Sequence, residues 1–279
     1  MNRSDDPLDR LVAEVLRSPK YSRVCEEFVR RIGADELGKR RRLKEAVKAT
    51  KNKLHQVGGA YLDTAPNYAT WERMLAASAS DRARLLETCR TIMDHHASTR
   101  ERLPILEEFF AATLSDLAPV RSVLDVACGL NPLAIPWMPL EPGAAYYAYD
   151  IYHDMIGLID GFMRLVGVNG QAQARDMLQF MPPETVEVAL FLKTIPCLEQ
   201  VDKSAGLRLL EAVHADYVLV SFPVRSLGGF DKGMVENYEA RLHELLAGKD
   251  WPVKRFEFAT ELAFLVDRRG VPPRGGNGS

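Results

Sequence analysis

The chain is predicted to be an α/β protein: a doubly wound, mostly parallel sheet in its carboxyl-terminal half, preceded by an all-helical, amino-terminal domain. Three observations predict this. From about Ser122 onward, apolar strand-like runs alternate with helical patterns, whereas the chain before it shows only helical periodicity. The stretch Ser122-Val-Leu-Asp-Val-Ala-Cys-Gly129 joins an apolar strand to a carboxylate at Asp125 and a tight turn at Gly129, and Ala145-Tyr-Tyr-Ala-Tyr-Asp-Ile151 carries a second acid, Asp150, near its end. Several of the runs are continuously apolar, as expected where both faces of a parallel sheet are covered.

A chain of 279 residues accommodates one large domain or a domain with an appendage. At that length about three quarters of the unfolded surface can be buried without help from disulfides or metals. Cys25, Cys89, Cys128 and Cys197 share no CxxC or Cys/His spacing, so they read as reduced thiols of a cytoplasmic protein and not as a metal site. Asp5 and Asp6 lie where a signal peptide would be basic or apolar, and no apolar run reaches the roughly eighteen residues of a membrane span. The net charge of −2 conceals an asymmetry: Lys20 to Lys53 holds twelve Lys/Arg against five Asp/Glu, a net +7, which leaves −9 for the remainder. A basic segment on an acidic remainder points to a polyanion-binding part.

Taken in order, residues 6–18 read as a helix with Pro7 in its first turn and Leu8, Leu11, Val12, Val15 and Leu16 in one stripe. A second helix follows Ser22, with Val24, Phe28 and Ile32 inward, and is expected to stop near Gly33. Asp35 is expected to cap a third, carrying Lys39-Arg40-Arg41-Arg42, Lys44, Lys48, Lys51 and Lys53 around a narrow apolar edge of Leu43, Val47 and Leu54. Gly58-Gly59 breaks the chain. Helices over 68–77 and 81–95 come next, then a long one opening near Ser98, where Ser98 and Glu101 match a capping box and Pro104 sits early enough to be tolerated or to kink it.

The candidate strands are 122–127, 145–150, 171–175, 186–192 and 216–222. Val253–Thr260 and Glu261–Asp267 have no room for a helix between them, so they read as an antiparallel pair closing the sheet. Seven strands ending in such a pair describe the class I (Rossmann-like) methyltransferase architecture better than a dehydrogenase. The expected organisation is a basic helical domain over 1–100, the sheet domain over 101–270, and a tail over 271–279 too rich in Gly and Pro to pack.

In a doubly wound sheet the ligand lies across the carboxyl ends of the strands, and an acid ending the second strand can accept from ribose hydroxyls. The first turn lacks the glycine triplet that receives a pyrophosphate, with Ala127 where a second glycine would stand. A nucleoside without phosphates, such as S-adenosylmethionine, fits better. Asp176 and Met177 end the third strand, where an acid can accept the adenine amino group while the thioether covers the ring. Leu192, Lys193 and Thr194 end the fourth; Lys193 at the mouth of a crevice has no packing reason to be there. His95-His96-Ala-Ser-Thr-Arg-Glu-Arg102 reads on spacing alone as a capped helix start with surface arginines, and two adjacent histidines on a helix cannot share a metal.

Four segments in order carry a resemblance: His96-Ala-Ser-Thr-Arg-Glu-Arg-Leu103, Asp125-Val-Ala-Cys-Gly-Leu-Asn-Pro-Leu133, Leu192-Lys-Thr-Ile-Pro-Cys-Leu-Glu199 and Ser221-Phe-Pro-Val-Arg-Ser-Leu-Gly-Gly229. Over nearly its whole length the chain resembles the Arm family, the 16S ribosomal RNA methyltransferases of aminoglycoside resistance that modify N7 of a decoding-site guanosine. The resemblance implies that Arg102 pairs with the carboxylate of S-adenosylmethionine, with His96, Ala97 and Ser98 at that end. It further implies that Ala127 and Gly129 flank the methionine part, that Asp150 holds the ribose, and that Asp176, Met177 and Leu192 enclose the adenine, with the aromatic Tyr61 nearby. Lys193 and Thr194 become candidates beside the target base. Arg40, Arg41, Lys44, Lys48, Lys51 and Lys53 would dock on RNA phosphates, and Arg225 and Lys232 nearer the target. The implied partner is 16S rRNA in the 30S subunit, met by a monomer without metal, membrane or DNA. Methylation of a neighbouring adenine N1, or ribosome binding without catalysis, are the alternatives.

Overall fold

A computed structural model describes residues 6–59, 61, 66–224 and 234–270. Arg225, Lys232 and the tail 271–279 lie outside the described residues. The helices of the first half are α1 (Pro7–Leu16), α2 (Glu26–Lys39), α3 (Leu43–Leu54), α4 (Tyr68–Ser78), α5 (Arg82–Met93), α6 (Ala97–Arg102) and α7 (Leu106–Thr113). The strands are β1 (Val120–Val126), β2 (Leu140–Asp150), β3 (Asn169–Ala174), β4 (Thr185–Leu192), β5 (His214–Pro223), β6 (Val253–Glu257) and β7 (Glu261–Asp267). Between them lie α8 (His153–Leu165), α9 (Thr194–Leu198), α10 (Ala205–Ala212) and α11 (Met234–Leu245).

The strands form one sheet in the order β3-β2-β1-β4-β5-β7-β6. Strands β1 to β5 are parallel, and β7 runs antiparallel to both β5 and β6, so the closing pair expected from the tail of the sequence is present. Chain order reverses direction across the sheet between β1 and β4, which opens a crevice beyond their carboxyl ends. Strand alternation divides the interior into two faces. Leu124, Val126, Ala189, Phe191, Val218, Val220 and Phe264 pack on one side against α10 and α11 residues such as Leu209 and Leu242. Val123, Val188, Leu190, Leu219 and Leu265 pack on the other, and that apolar core runs on without a break into Leu11, Phe28, Ile32 and Ile92 of the amino-terminal helices.

Two helix boundaries differ from the sequence expectation. α2 does not stop at Gly33 but continues to Lys39, where Arg40 turns extended (φ −134°, ψ 140°). Gly33 is a crossing point: a Cβ there would lie 2.5 Å from Leu11 Cδ2, so the residue lets α1 approach α2 and costs the helix only its modest intrinsic penalty. Asp35 therefore caps nothing, and α3 begins at Leu43, leaving Lys39–Arg42 at the junction between the two helices. The capping box at Ser98 and Glu101 is not formed. His96 precedes the first residue of α6 without a side-chain cap, and Glu101 turns toward Lys193 instead. Pro104 does interrupt this helix, in a 3-10 turn over Leu103–Ile105.

Candidate active site

A cleft lies over the carboxyl ends of β1, β2 and β4, lined by Ala127, Asp150, Asp176, Met177, Leu192, Lys193 and Thr194 among others. Tyr61, His96, Ser98 and Arg102 enter from the helical side. Ala97 and Gly129 do not line it; they support it. The Ala97 N–H donates to the Tyr61 carbonyl at 2.8 Å, and the Gly129 N–H donates to Asp150 Oδ2 at 2.9 Å. Tyr61 stacks with His96, with ring centroids 6.1 Å apart.

The turn after β1 is built tightly. Gly129 has φ +53°, and a Cβ there would come within 2.8 Å of His96 Cε1, so both backbone and neighbour require glycine. Ala127 also sits in the left-handed region, at φ +51°, a conformation that disfavours a Cβ. Its methyl therefore strains the backbone of the turn in addition to facing the cleft. Asp150 accepts from Gly129 and, at 2.6 Å, from its neighbour Ile151, which fixes the carboxylate at the end of β2. Burial raises the Asp150 pKa, against the pull of backbone N–H groups from Gly129, Ile151 and Tyr152.

Beneath the cleft floor is a buried charged network. Arg102 is not a surface arginine; it is fully buried and grips Glu261 with two hydrogen bonds, Nε to Oε2 at 3.0 Å and Nη2 to Oε1 at 2.6 Å. Its third arm donates to Asn131 Oδ1 at 2.8 Å, and its guanidinium lies 4.8 Å over the Phe109 ring. Ser221 Oγ donates to Glu261 Oε1 at 2.5 Å. Lys193, in the left-handed region at φ +59°, sends its ammonium inward to Glu101 (2.8 Å), Glu261 (3.3 Å) and the Ser98 carbonyl (3.2 Å). Lys193 thus has the packing reason that the sequence reading denied it. Thr194 likewise ties α9 to β1 by donating to the Val126 carbonyl at 2.9 Å.

Burial opposes ionisation of Glu261, but the charges of Arg102 and Lys193 and the hydrogen bonds from Arg102 and Ser221 hold its pKa below the usual carboxylate value. Asp125 goes the other way. Burial pushes it up to about 7, although Asn131 Nδ2 (2.8 Å) and the Tyr146 hydroxyl (2.7 Å) donate to it and Arg102 is near. Burial also lifts Cys197 to about 11 and Cys128 well above its ordinary value, so neither offers a thiolate at neutral pH.

Of the basic residues expected to meet RNA, Arg41, Lys44 and Lys48 are exposed. Arg40 and Lys53 instead gather with Lys39 around the buried carboxylate of Glu36. Lys51 is half-buried, and its carbonyl accepts from the Tyr21 hydroxyl.

Sequence reasoning missed several groups at the cleft. Asn131 stood in the quoted Gly-Leu-Asn-Pro turn without a role. Glu261 had a usable signal, a lone acid heading the apolar run Leu262-Ala-Phe-Leu-Val266. Phe28, Arg31, Val57 and Tyr152 had none: Phe28, Val57 and Tyr152 line the cleft, while Arg31 pairs with Asp176 from 145 residues away.

Sheet order, the glycine turn after β1 and acids at the ends of β2 and β3 define a class I methyltransferase. The lining of the cleft fits S-adenosylmethionine: fixed acceptors in Asp150 and Asp176, apolar walls in Met177 and Leu192, and, among the described residues, the cations Arg102, Arg175 and Lys193 already paired with carboxylates of the chain instead of clustered for a pyrophosphate. The model of the family described as ribosomal RNA methyltransferase (FmrO) matches residues 17–265, and the chain belongs to that family. It is 38% identical over 269 residues to a 16S rRNA (guanine(1405)-N(7))-methyltransferase of Frankia casuarinae, covering 95% of each chain. It is 35% identical over 268 residues to one of Micromonospora echinospora, covering 95% of this chain and 98% of the relative. Among solved structures it resembles the 16S rRNA methyltransferase RmtF in complex with S-adenosyl-L-homocysteine, with a TM-score of 0.80 and 32% identity over 95% of this chain and 99% of that one.

Proposed function

We propose that the protein transfers the methyl group of S-adenosylmethionine to N7 of guanosine 1405 in 16S rRNA within the 30S subunit, and so confers aminoglycoside resistance. The observation that carries this reading is the cleft at the β1/β4 crevice, with Asp150 and Asp176 at the ends of neighbouring strands, in a chain of this family. S-adenosylmethionine supplies an electrophilic methyl on a sulfonium. Guanine N7 has a free lone pair and carries no proton, so the acceptor needs exposure and alignment, not a base. The cleft suits that demand: burial holds its Cys128 and Cys197 thiols protonated, and Lys193 and Arg102 are ion-paired with carboxylates of the chain.

In this reading Asp150 receives the ribose hydroxyls, Asp176 the adenine amine, and Met177 and Leu192 enclose the ring. Tyr61, His96, Ala97, Ser98, Arg102, Ala127 and Gly129 shape the methionine end. Arg102 gives one hydrogen bond from each terminal nitrogen, to Glu261 and Asn131, and each of these nitrogens has a second N–H, the kind of donor a carboxylate would take. Residues 1–100 serve as the RNA-docking part, with Arg41, Lys44 and Lys48 on phosphates, and 101–270 as the transferase in the cytoplasm. The target base lies in structured RNA and must be turned out to reach the cleft. Incubating 30S subunits with the enzyme and methyl-labelled S-adenosylmethionine tests the reading. Label should enter 16S rRNA as 7-methylguanosine. Label as 1-methyladenosine, or no transfer by an enzyme that binds the subunit, would overturn it.

A further inference from the structure

The adenine end of the cleft is walled by a segment far away in sequence. The Cys25 N–H donates to the Ile151 carbonyl and the His153 N–H to the Arg23 carbonyl, both at 2.8 Å, and Val24 bridges Tyr152 in antiparallel fashion. This seam brings the first turn of α2 to the cleft, where Phe28 forms part of the lining. One turn further on, Arg31 meets Asp176: Nε donates to Oδ2, and Nη2 donates to Oδ1 at 3.2 Å. The Asp176 side chain is 2% exposed and that of Arg31 16%. The Phe28 ring lies 5.1 Å from the guanidinium, and Glu27 pairs with Arg175 alongside at 2.8 Å.

A guanidinium fork fixes the plane of a carboxylate as well as its position, which a single ammonium contact does not. Oδ1 of Asp176 receives two donors, Arg31 Nη2 and, at 3.1 Å, the Leu178 N–H; Oδ2 receives one. Each oxygen has two lone pairs, so the unused acceptor is on Oδ2. We infer that Arg31 is a positioning residue: it holds Asp176 so that this lone pair serves the cleft, and thereby makes the site selective for adenine over a purine bearing a carbonyl at the same carbon. The inference rests on the reading of Asp176 as the adenine contact. A carboxylate gripped by a guanidinium only accepts hydrogen bonds. The adenine amine donates one, whereas the hypoxanthine carbonyl would set lone pair against lone pair. The competing role for the pair is a strut that merely fastens α2 to the sheet domain.

Calorimetry with S-adenosylhomocysteine and its deaminated analogue, S-inosylhomocysteine, separates these roles in the wild-type chain, Arg31→Ala and Arg31→Lys. The wild type should prefer the adenine ligand by at least about tenfold, since a site built around a hydrogen bond rejects the ligand that cannot make it. Both variants should lose most of that preference, by weaker binding of the adenine ligand with little change for the inosine one. Equal weakening of both ligands would leave the ratio intact and reduce Arg31 to a strut. A wild type without preference would remove Asp176 from the adenine, a failure of the underlying reading and not of the Arg31 geometry alone. Should Arg31→Ala fail to fold, Arg31→Lys decides, because it keeps the charge but not the fork; failure of both to fold assigns Arg31 to stability and overturns the inference.

Discussion

Replacing Arg102 with methionine tests the charged floor of the cleft. The substitution keeps an unbranched apolar stem over Phe109 but leaves Glu261, wholly buried, without its fork. Three charge-assisted hydrogen bonds disappear, two to Glu261 and one to Asn131, each worth roughly 1.5–3 kcal/mol in isolation, and breaking one side of a buried pair costs about 3–5 kcal/mol in all. Lys193, 3.3 Å from Glu261, and the Ser221 hydroxyl remain and hold the loss toward the lower end, about 3–4 kcal/mol. For a chain of 279 residues that corresponds to a fall in Tm of about 5–7 °C. Urea unfolding followed by circular dichroism measures it, in a cycle with Glu261→Gln and the double variant. The double variant should recover at least about 1 kcal/mol relative to the sum of the singles, because neither charge is then stranded. A single Arg102→Met loss below about 1 kcal/mol, or additive effects, would show that the pair does not carry the floor.

Three further outcomes are expected. Asp125 keeps its proton to about pH 7 in the fold but releases it near 3.9 when unfolded, so stability should decline as pH rises from about 4 to 7 and level off above, by up to ~4 kcal/mol. Asp125→Asn should flatten that decline, though not abolish it because Asp150 is raised too; urea midpoints at pH 5 and 8 with an unchanged difference would refute the assignment. Ala127→Gly should stabilise by about 0.5–1 kcal/mol, since relief of the left-handed alanine exceeds the entropy gained by the unfolded chain, and a loss of stability would show the turn is unstrained. Neutralising Arg41, Lys44 and Lys48 together should weaken 30S binding, reduce the slope of log affinity against log salt by about 2–3, and spare cofactor affinity by calorimetry; an unchanged slope would remove α3 from the RNA interface.

The inner strands were legible because a sheet covered on both faces writes continuous apolar runs, as in β4 and β7; the edge strands β3 and β6 are not such runs, yet each of the seven lies at the predicted place with ends shifted by a few residues. β2 shows the largest shift, starting at Leu140 through Pro142-Gly143, residues whose composition reads as a turn. Helix ends were legible only where local chemistry sets them. Asp6 and Asp81 do cap α1 and α5, accepting from Leu8 and Arg84. Gly33 and Asp35 mimic a stop signal, but α1 packing against Gly33 outweighs it. Arg102 and Lys193 show the same limit at the site. Lys193 was visible as a charged residue at a strand end and Arg102 as one of a polar helix cluster, but their shared partner Glu261 enters from β7, 159 residues after Arg102. The Arg31–Asp176 contact is equally nonlocal, and no periodicity or motif in either segment announces it.

The most direct test of the account is to map the modified base. After 30S subunits are incubated with enzyme and S-adenosylmethionine, borohydride reduction and aniline treatment cleave the RNA chain at 7-methylguanosine, and primer extension on 16S rRNA locates the break. The account predicts one new stop, adjacent to guanosine 1405, that requires both the cofactor and the chemical treatment. A stop that appears without aniline, as a methyl on a Watson–Crick nitrogen produces, or no stop at guanosine 1405, would contradict it.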